Sequence, residues 1–171
     1  MNNNTTDWAI TTKRLKIRKL HPKDITDYYE IFANPVICRF DDFVPITLEE
    51  ASNWIPCAID NYSNPENEQE LAVEESASGK LIGILFLNPK ADPASIGYHF
   101  NETYHGMGYA SEALAAWVAS LKTTRQPLFL KALVHPDNKA SKRVLEKLGF
   151  EYHSTHFMPE TGAPEEVYLL K

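Results

Sequence analysis

The stretch that most constrains this 171-residue chain lies between Ser95 and Leu121, where a strand, a glycine turn and a helix read in succession. Ser95-Ile96-Gly97-Tyr98-His99-Phe100 has the pattern of a strand, with Ile96, Tyr98 and Phe100 on one face. His105-Gly106-Met107-Gly108-Tyr109-Ala110-Ser111-Glu112 follows. Beyond it Ala110, Ala113, Leu114, Trp117, Val118 and Leu121 recur at helical spacing and form one apolar face. A helix opened by small residues leaves backbone N–H groups unpaired at the positive end of its dipole, which suits a phosphate. Gly106 and Gly108 allow close approach of the backbone, and Ser111 adds a hydroxyl. The same residues also read as a plain strand-to-helix turn. A dinucleotide-binding oxidoreductase fits less well. Ser111 stands where a third glycine belongs, and the region about 20 residues beyond Gly108, Pro127-Leu128-Phe129, holds no acid.

A second motif follows. A strand from Leu128 to Val134 ends at His135-Pro136-Asp137, and a helix from about Asn138 stops at Gly149 as its C-cap. Two runs then stand in order: Ile96-Gly97-Tyr98 with Tyr104-x-Gly106-x-Gly108-Tyr109-Ala110-Ser111-Glu112-Ala113-Leu114, and Asn138-x-x-Ser141-x-x-Val144-Leu145-Glu146-Lys147-Leu148-Gly149-Phe150. Together they resemble the GNAT superfamily of acyl-CoA-dependent N-acetyltransferases, and within it the RimJ/RimL type that acetylates ribosomal-protein N-termini. The likeness extends loosely from Thr12 to about Leu170.

The resemblance implies one α/β (α+β) domain over residues 1–171. Its sheet is mixed and mostly antiparallel, with six or seven strands, helices on both faces and a splayed central strand pair. It implies acetyl-CoA as co-substrate, held by Gly97, Tyr98, His99, His105, Gly106, Met107, Gly108, Tyr109, Ala110, Ser111, Asn138 and Ser141. Backbone N–H groups around Gly97-Tyr98-His99 would hold the acetyl carbonyl while pantetheine fills the gap beside the strand. Ser141 would be the acid or hydrogen-bond donor for the departing thiolate, because Leu145 stands where many members carry a tyrosine. Asn138 would bind pantetheine or a water, although Asn and Ser are also ordinary helix-start residues. His105 stands where arginine or glutamine is common.

Ser95 replaces a frequent glutamate, so the general base is left between His99 and a water relay. An α-amine, with a pKa near 8, is roughly one-tenth neutral at pH 7, whereas a lysine amine near 10.4 is neutral in fewer than about one in a thousand. A site without a strong base therefore favours a protein or peptide N-terminal α-amine. Phe40, Asp41 and Trp54 lie in the segment that walls the acceptor cleft in the family, and they read equally as core packing and solvated charge. A small-molecule amine such as a polyamine or aminoglycoside is the alternative acceptor, and a non-catalytic acyl-CoA-binding module the alternative class.

The net charge of −6 and the lack of a basic run argue against nucleic acid and suit a cationic substrate. No apolar run approaches membrane-spanning length, and Cys38 and Cys57 do not make a disulfide framework, so a cytoplasmic protein, monomer or homodimer, is expected. The histidines show no metal-ligand spacing, and no metal is expected. In chain order, Arg14–Leu20 alternates as a strand, Lys23–Ala33 reads as a helix, and Val36–Pro45 as irregular. Thr47 with Glu50 forms a capping box opening a helix that carries Trp54 and that Pro56 should kink or interrupt. Leu71–Val73 and Leu81–Leu87 read as a hairpin, Phe150–Phe157 and Glu165–Leu170 as strands around a turn at Pro159–Pro164, and residues 1–8 as disordered.

Overall fold

The structure, a computed structural model, describes residues 9–124, 129–159 and 161–171. Its strands are β1 (Ala9–Thr11), β2 (Leu15–Lys19), β3 (Gln69–Glu75), β4 (Leu81–Asn88), β5 (Ala94–Phe100), β6 (Leu130–Val134), β7 (Glu151–Phe157) and β8 (Pro164–Leu170). Its helices are α1 (Ile25–Phe32), α2 (Pro35–Cys38), α3 (Leu48–Asp60), α4 (Tyr109–Thr124) and α5 (Lys139–Lys147). The strands form one sheet in the order β1-β2-β3-β4-β5-β6-β8-β7, antiparallel throughout except for the parallel pair β5–β6. Among the described residues the sheet thus has eight strands, where six or seven were expected. The extra one is β1, a three-residue strand too short to carry a periodic signal.

Alternation along the strands gives the sheet two apolar faces. On one, Leu15, Ile17, Leu71, Val73, Ile96 and Phe100 pack with Ala113, Leu114, Trp117, Val118 and Leu121 of α4 and Leu145 of α5. On the other, Ala72, Leu81 and Ile84 meet Tyr28, Ile31 and Phe32 of α1, Ile37 of α2 and Ala51, Ile55 and Ala58 of α3. Two local expectations change. Val36–Pro45 is not irregular throughout, because Asn34 accepts from the Val36 N–H at 2.9 Å and caps the short helix α2. Pro56 does not interrupt α3, which runs unbroken from its Thr47–Glu50 capping box to Asp60. Pro56 is exposed while Ala51, Ile55 and Ala58 are buried, so the carbonyl it leaves unpaired can turn to water as packing holds the helix. The expected disorder of residues 1–8, the start of β6 at Leu128 and Glu160 in the last turn lie outside the described residues.

Candidate active site

Strands β5 and β6 pair at Ala94–Leu130, Ser95–Lys131 and Ile96–Ala132, and there the parallel ladder stops. Each strand runs on with its other neighbour, β5 against β4 to the Gly83–Phe100 pair and β6 against β8 to Val134–Glu166, so a gap opens between them. The Asn101 N–H donates to the Ile82 carbonyl at 2.8 Å, which sets the phase of the antiparallel ladder. Peptide groups alternate sides along a strand, so those of Gly97 and His99 turn towards β4 and those of Tyr98 and Phe100 towards the gap. The Phe100 carbonyl is taken by His105 Nε2 at 2.8 Å. Of the Gly97–His99 trio, it is therefore Tyr98 whose N–H and C=O face the opening.

At one end of the gap is the glycine turn. Gly106 has φ of +76° and Gly108 of +80°, with no positive φ between them, since every such residue is a glycine. That alternation of sign lets successive N–H groups converge on one concavity. The amides of Tyr109, Ala110 and Ser111 open α4 without intrahelical acceptors and extend it. Arg14 braces the turn from outside: Nη1 donates to the Met107 carbonyl at 2.9 Å, Nε to Glu112 at 2.7 Å, and the guanidinium lies 4.2 Å from the centre of the Tyr109 ring. Glu112 also accepts from Thr12 Oγ1 at 2.6 Å and from the Arg14 N–H at 3.0 Å, tying β1–β2 to the first turn of α4. His105 is turned back onto β5, and the exposed Met107 side chain does not line the cavity beside the turn.

The start of α5 closes the other side. Asn138 Oδ1 accepts from the Ser141 N–H at 3.1 Å as the N-cap, leaving its Nδ2 hydrogens as the remaining side-chain donors. The Tyr98 hydroxyl reaches across the gap to Ser141, 2.8 Å from Oγ and 3.2 Å from its carbonyl oxygen. Burial pushes the Tyr98 phenol up to about 12, so this pair keeps its protons near neutrality. Leu145 is fully buried, lines the larger cavity and has no polar group to offer the sulfur.

Two cavities meet here. One, of about 600 Å³, runs from the glycine turn along Tyr98 and His99 to Asn138 and Ser141, with Phe40 stacked on His135 at 5.2 Å on its wall. The other, of about 370 Å³, is walled by Trp54, Phe86 and four carboxylates, Asp41, Glu68, Glu70 and Glu165, with no Lys, Arg or His among the described residues lining it. They share Asp41, Ile96, Gly97 and Leu133. Phe40, expected with the acceptor, thus lines the larger cavity. Trp54 lines the smaller, and Asp41 lies on both.

The carboxylates differ in their partners. Glu70 is buried, accepts from Trp54 Nε1 at 2.7 Å and from the Tyr28 hydroxyl at 3.1 Å, and burial raises its pKa. Glu165 lies 3.0 Å from His156 Nε2, and Glu68 accepts from Asn88 Nδ2 at 2.9 Å. Partial burial of a side chain that is still 30% exposed, reinforced by Asp42 and Glu165, pushes Asp41 up to about 7. His99 sits among the rings of Phe32, Phe43 and Phe86, and burial pushes it down to about 4. Its Nε2, 3.7 Å from Asp41 Oδ1, therefore belongs to a neutral ring, and the contact is not an ion pair at neutral pH. Ser95 lines the smaller cavity.

The Tyr98 hydroxyl, the Arg14 brace and the glutamates of the smaller cavity were not singled out from sequence. Only Glu70 carries a local signal, as an acid bordering the apolar run Leu71–Val73. Among the described residues no group of three metal-ligating side chains clusters, and no helix is long and apolar enough to cross a membrane.

Comparison with known proteins accords with this geometry. The profile of the acetyltransferase (GNAT) domain matches residues 14–151. The uncharacterized N-acetyltransferase YnaD of Bacillus subtilis is 30% identical over 142 residues, covering 82% of this chain and 81% of that protein. A GNAT-family acetyltransferase from Bacillus anthracis superposes with a TM-score of 0.81 at 24% identity, covering 95% of this chain and 98% of that one. RimL, a ribosomal L7/L12 α-N-protein acetyltransferase in complex with coenzyme A, does so with a TM-score of 0.82 at 16% identity, covering 95% and 97%. With a splayed strand pair, a domain profile that spans most of its length and a relative 30% identical over four-fifths of both chains, this chain belongs to the GNAT acetyltransferase family.

Proposed function

We propose that the chain transfers the acetyl group of acetyl-CoA to a cationic primary amine, the α-amine of a peptide or protein N-terminus. The observation that carries this reading is the meeting of the two cavities at Gly97 and Asp41. The larger has a volume typical of small-molecule sites, about 300–1,000 Å³, and ends at converging amides suited to a diphosphate. In it the Gly106–Ser111 amides hold the diphosphate, and the Tyr98 peptide pairs with pantetheine or receives the carbonyl oxygen as negative charge develops there. The Tyr98–Ser141 hydroxyl pair supplies a proton to the departing thiolate. The smaller cavity attracts the ammonium by its carboxylates and aligns it with the thioester.

A second reading rests on the same pocket. Four carboxylates around about 370 Å³ would also suit a small polyamine with a second ammonium. Thiol release from acetyl-CoA, measured across N-terminal peptides, an Nα-blocked lysine and diamines, decides between the two. Fastest turnover on the peptides supports the α-amine, and fastest turnover on diamines supports the polyamine. Coenzyme binding without thiol release on any amine would overturn catalysis itself.

A further inference from the structure

We propose that Asp41 is the general base of this site, taking a proton from the acceptor's ammonium as it enters from the carboxylate-lined cavity. The inference rests on the acetyl transfer proposed above. Among the described residues Asp41 is the one carboxylate that lines both cavities, so it stands where the amine must meet the thioester. The other three acids of the smaller cavity are already engaged: Glu70 by Trp54 and Tyr28, Glu165 by His156, and Glu68 by Asn88. The Asp41 carboxylate accepts no hydrogen bond from any described residue, while its own N–H is fixed to the Cys38 carbonyl at 3.0 Å. Apart from His99 Nε2, 3.7 Å from Oδ1 and beyond hydrogen-bond distance, its oxygens are open to an incoming ammonium, and its backbone is anchored.

The surroundings set its basicity. Asp42 stands beside it, Cys38 comes from α2, His99 from β5 and Glu165 from β8, with Glu68 and Glu70 across the cavity. Arg39, two residues before it, lies over the Phe40 ring at 4.5 Å on the larger cavity instead. Partial burial and two like charges bring Asp41 to about 7, within about one unit of an α-ammonium near 8, while its 30% exposed side chain stays open to the cavity and to solvent. His99, at about 4, would be uphill by about four units and is the poorer base.

The step balances. The ammonium gives one proton to Asp41, which passes it to solvent, and the freed lone pair forms the C–N bond at the thioester carbon. As the C–S bond breaks, Ser141 gives a proton to the sulfur, and the second proton lost from nitrogen restores the hydroxyl pair. The products are the amide, free thiol and one proton.

The test is the pH profile of kcat/KM for an N-terminal peptide in the wild type, Asp41→Asn and Asp41→Glu, with acetyl-CoA affinity measured alongside. In Asp41→Asn only the neutral amine can react. Its rate should fall about tenfold or more at pH 7, where roughly a tenth of an α-amine is neutral, and recover towards wild type above pH 9. Asp41→Glu should keep part of the rate at pH 7, and all three proteins should bind acetyl-CoA alike. An Asn variant with wild-type rate at pH 7, or with a loss independent of pH, would overturn the role of Asp41 and leave the transferase reading intact. A wild type that turns over no amine would overturn both.

Discussion

Replacing Gly97 with alanine should make the protein more stable and the enzyme slower. Gly97 is absent from the positive-φ residues, and an ideal Cβ built on it would lie 3.8 Å from Phe86 Cβ and 3.9 Å from Phe86 Cδ2, ordinary contact distances. The fold therefore accepts a methyl group. A strand glycine costs about 0.5–1 kcal/mol relative to alanine. For a domain of roughly 150–250 residues, each kcal/mol moves Tm by about 2–4 °C, so Tm should rise by about 1–4 °C. Yet Gly97 lines both cavities where they join, and the methyl points towards Phe86, which lines the smaller cavity. A displacement of about 1 Å from reacting distance can cost about a hundredfold in rate. Steady-state kinetics should show kcat/KM for the amine down by about that factor, with acetyl-CoA affinity nearly unchanged. A Gly97→Ala protein that melts lower would refute the open fit at this position, and one that acetylates at the wild-type rate would refute the placement of the reaction at this junction.

Ser141→Ala and Tyr98→Phe should each lower kcat while leaving acetyl-CoA affinity close to wild type, and the double variant should lose little more than the worse single. Fully additive losses would show that the 2.8 Å hydroxyl pair does not act as a unit. Gly83→Ala should destabilise by about 1–3 kcal/mol in denaturant titration, because its Cβ would come within 2.6 Å of the buried Phe100 ring; unchanged stability would mean that the ring moves freely. His99 has a folded pKa of about 4, below its unfolded value of about 6.5. Below pH 6.5 the unfolded chain takes a proton that the folded site declines, so stability present at neutral pH is lost as pH falls through 4. Thermal melts should show a smaller acid loss for His99→Gln between pH 6.5 and 4, and an identical slope would contradict the neutral, caged histidine.

What the sequence revealed depended on the range of each interaction. The glycine turn and the α5 cap were legible because helix starts, glycine conformation and apolar periodicity act over a few residues. The Asn138–Ser141 bond spans three positions, and the positive φ of Gly106 and Gly108 is a property of glycine itself. The face carrying Ile96, Tyr98 and Phe100 followed from strand alternation. What Tyr98 touches did not, since Ser141 is 43 residues away and meets it only after β5 and β6 diverge. The smaller, carboxylate-lined cavity was hidden for the same reason: Asp41, Glu70 and Glu165 come from a loop, β3 and β8, and only the folded sheet gathers them. Pro56 misled in the other direction. Its local tendency to break a helix gave way to tertiary packing of the opposite, buried face of α3.

The most direct test of the account is a crystal structure of the protein with acetyl-CoA bound. We expect the diphosphate against the amides of Gly106 to Ser111, pantetheine between β5 and β6 beside Tyr98, and the thioester within reach of Ser141, facing Gly97 and Asp41. A coenzyme seated elsewhere, or one whose thioester lies away from the junction of the two cavities, would contradict the mechanism proposed for this chain.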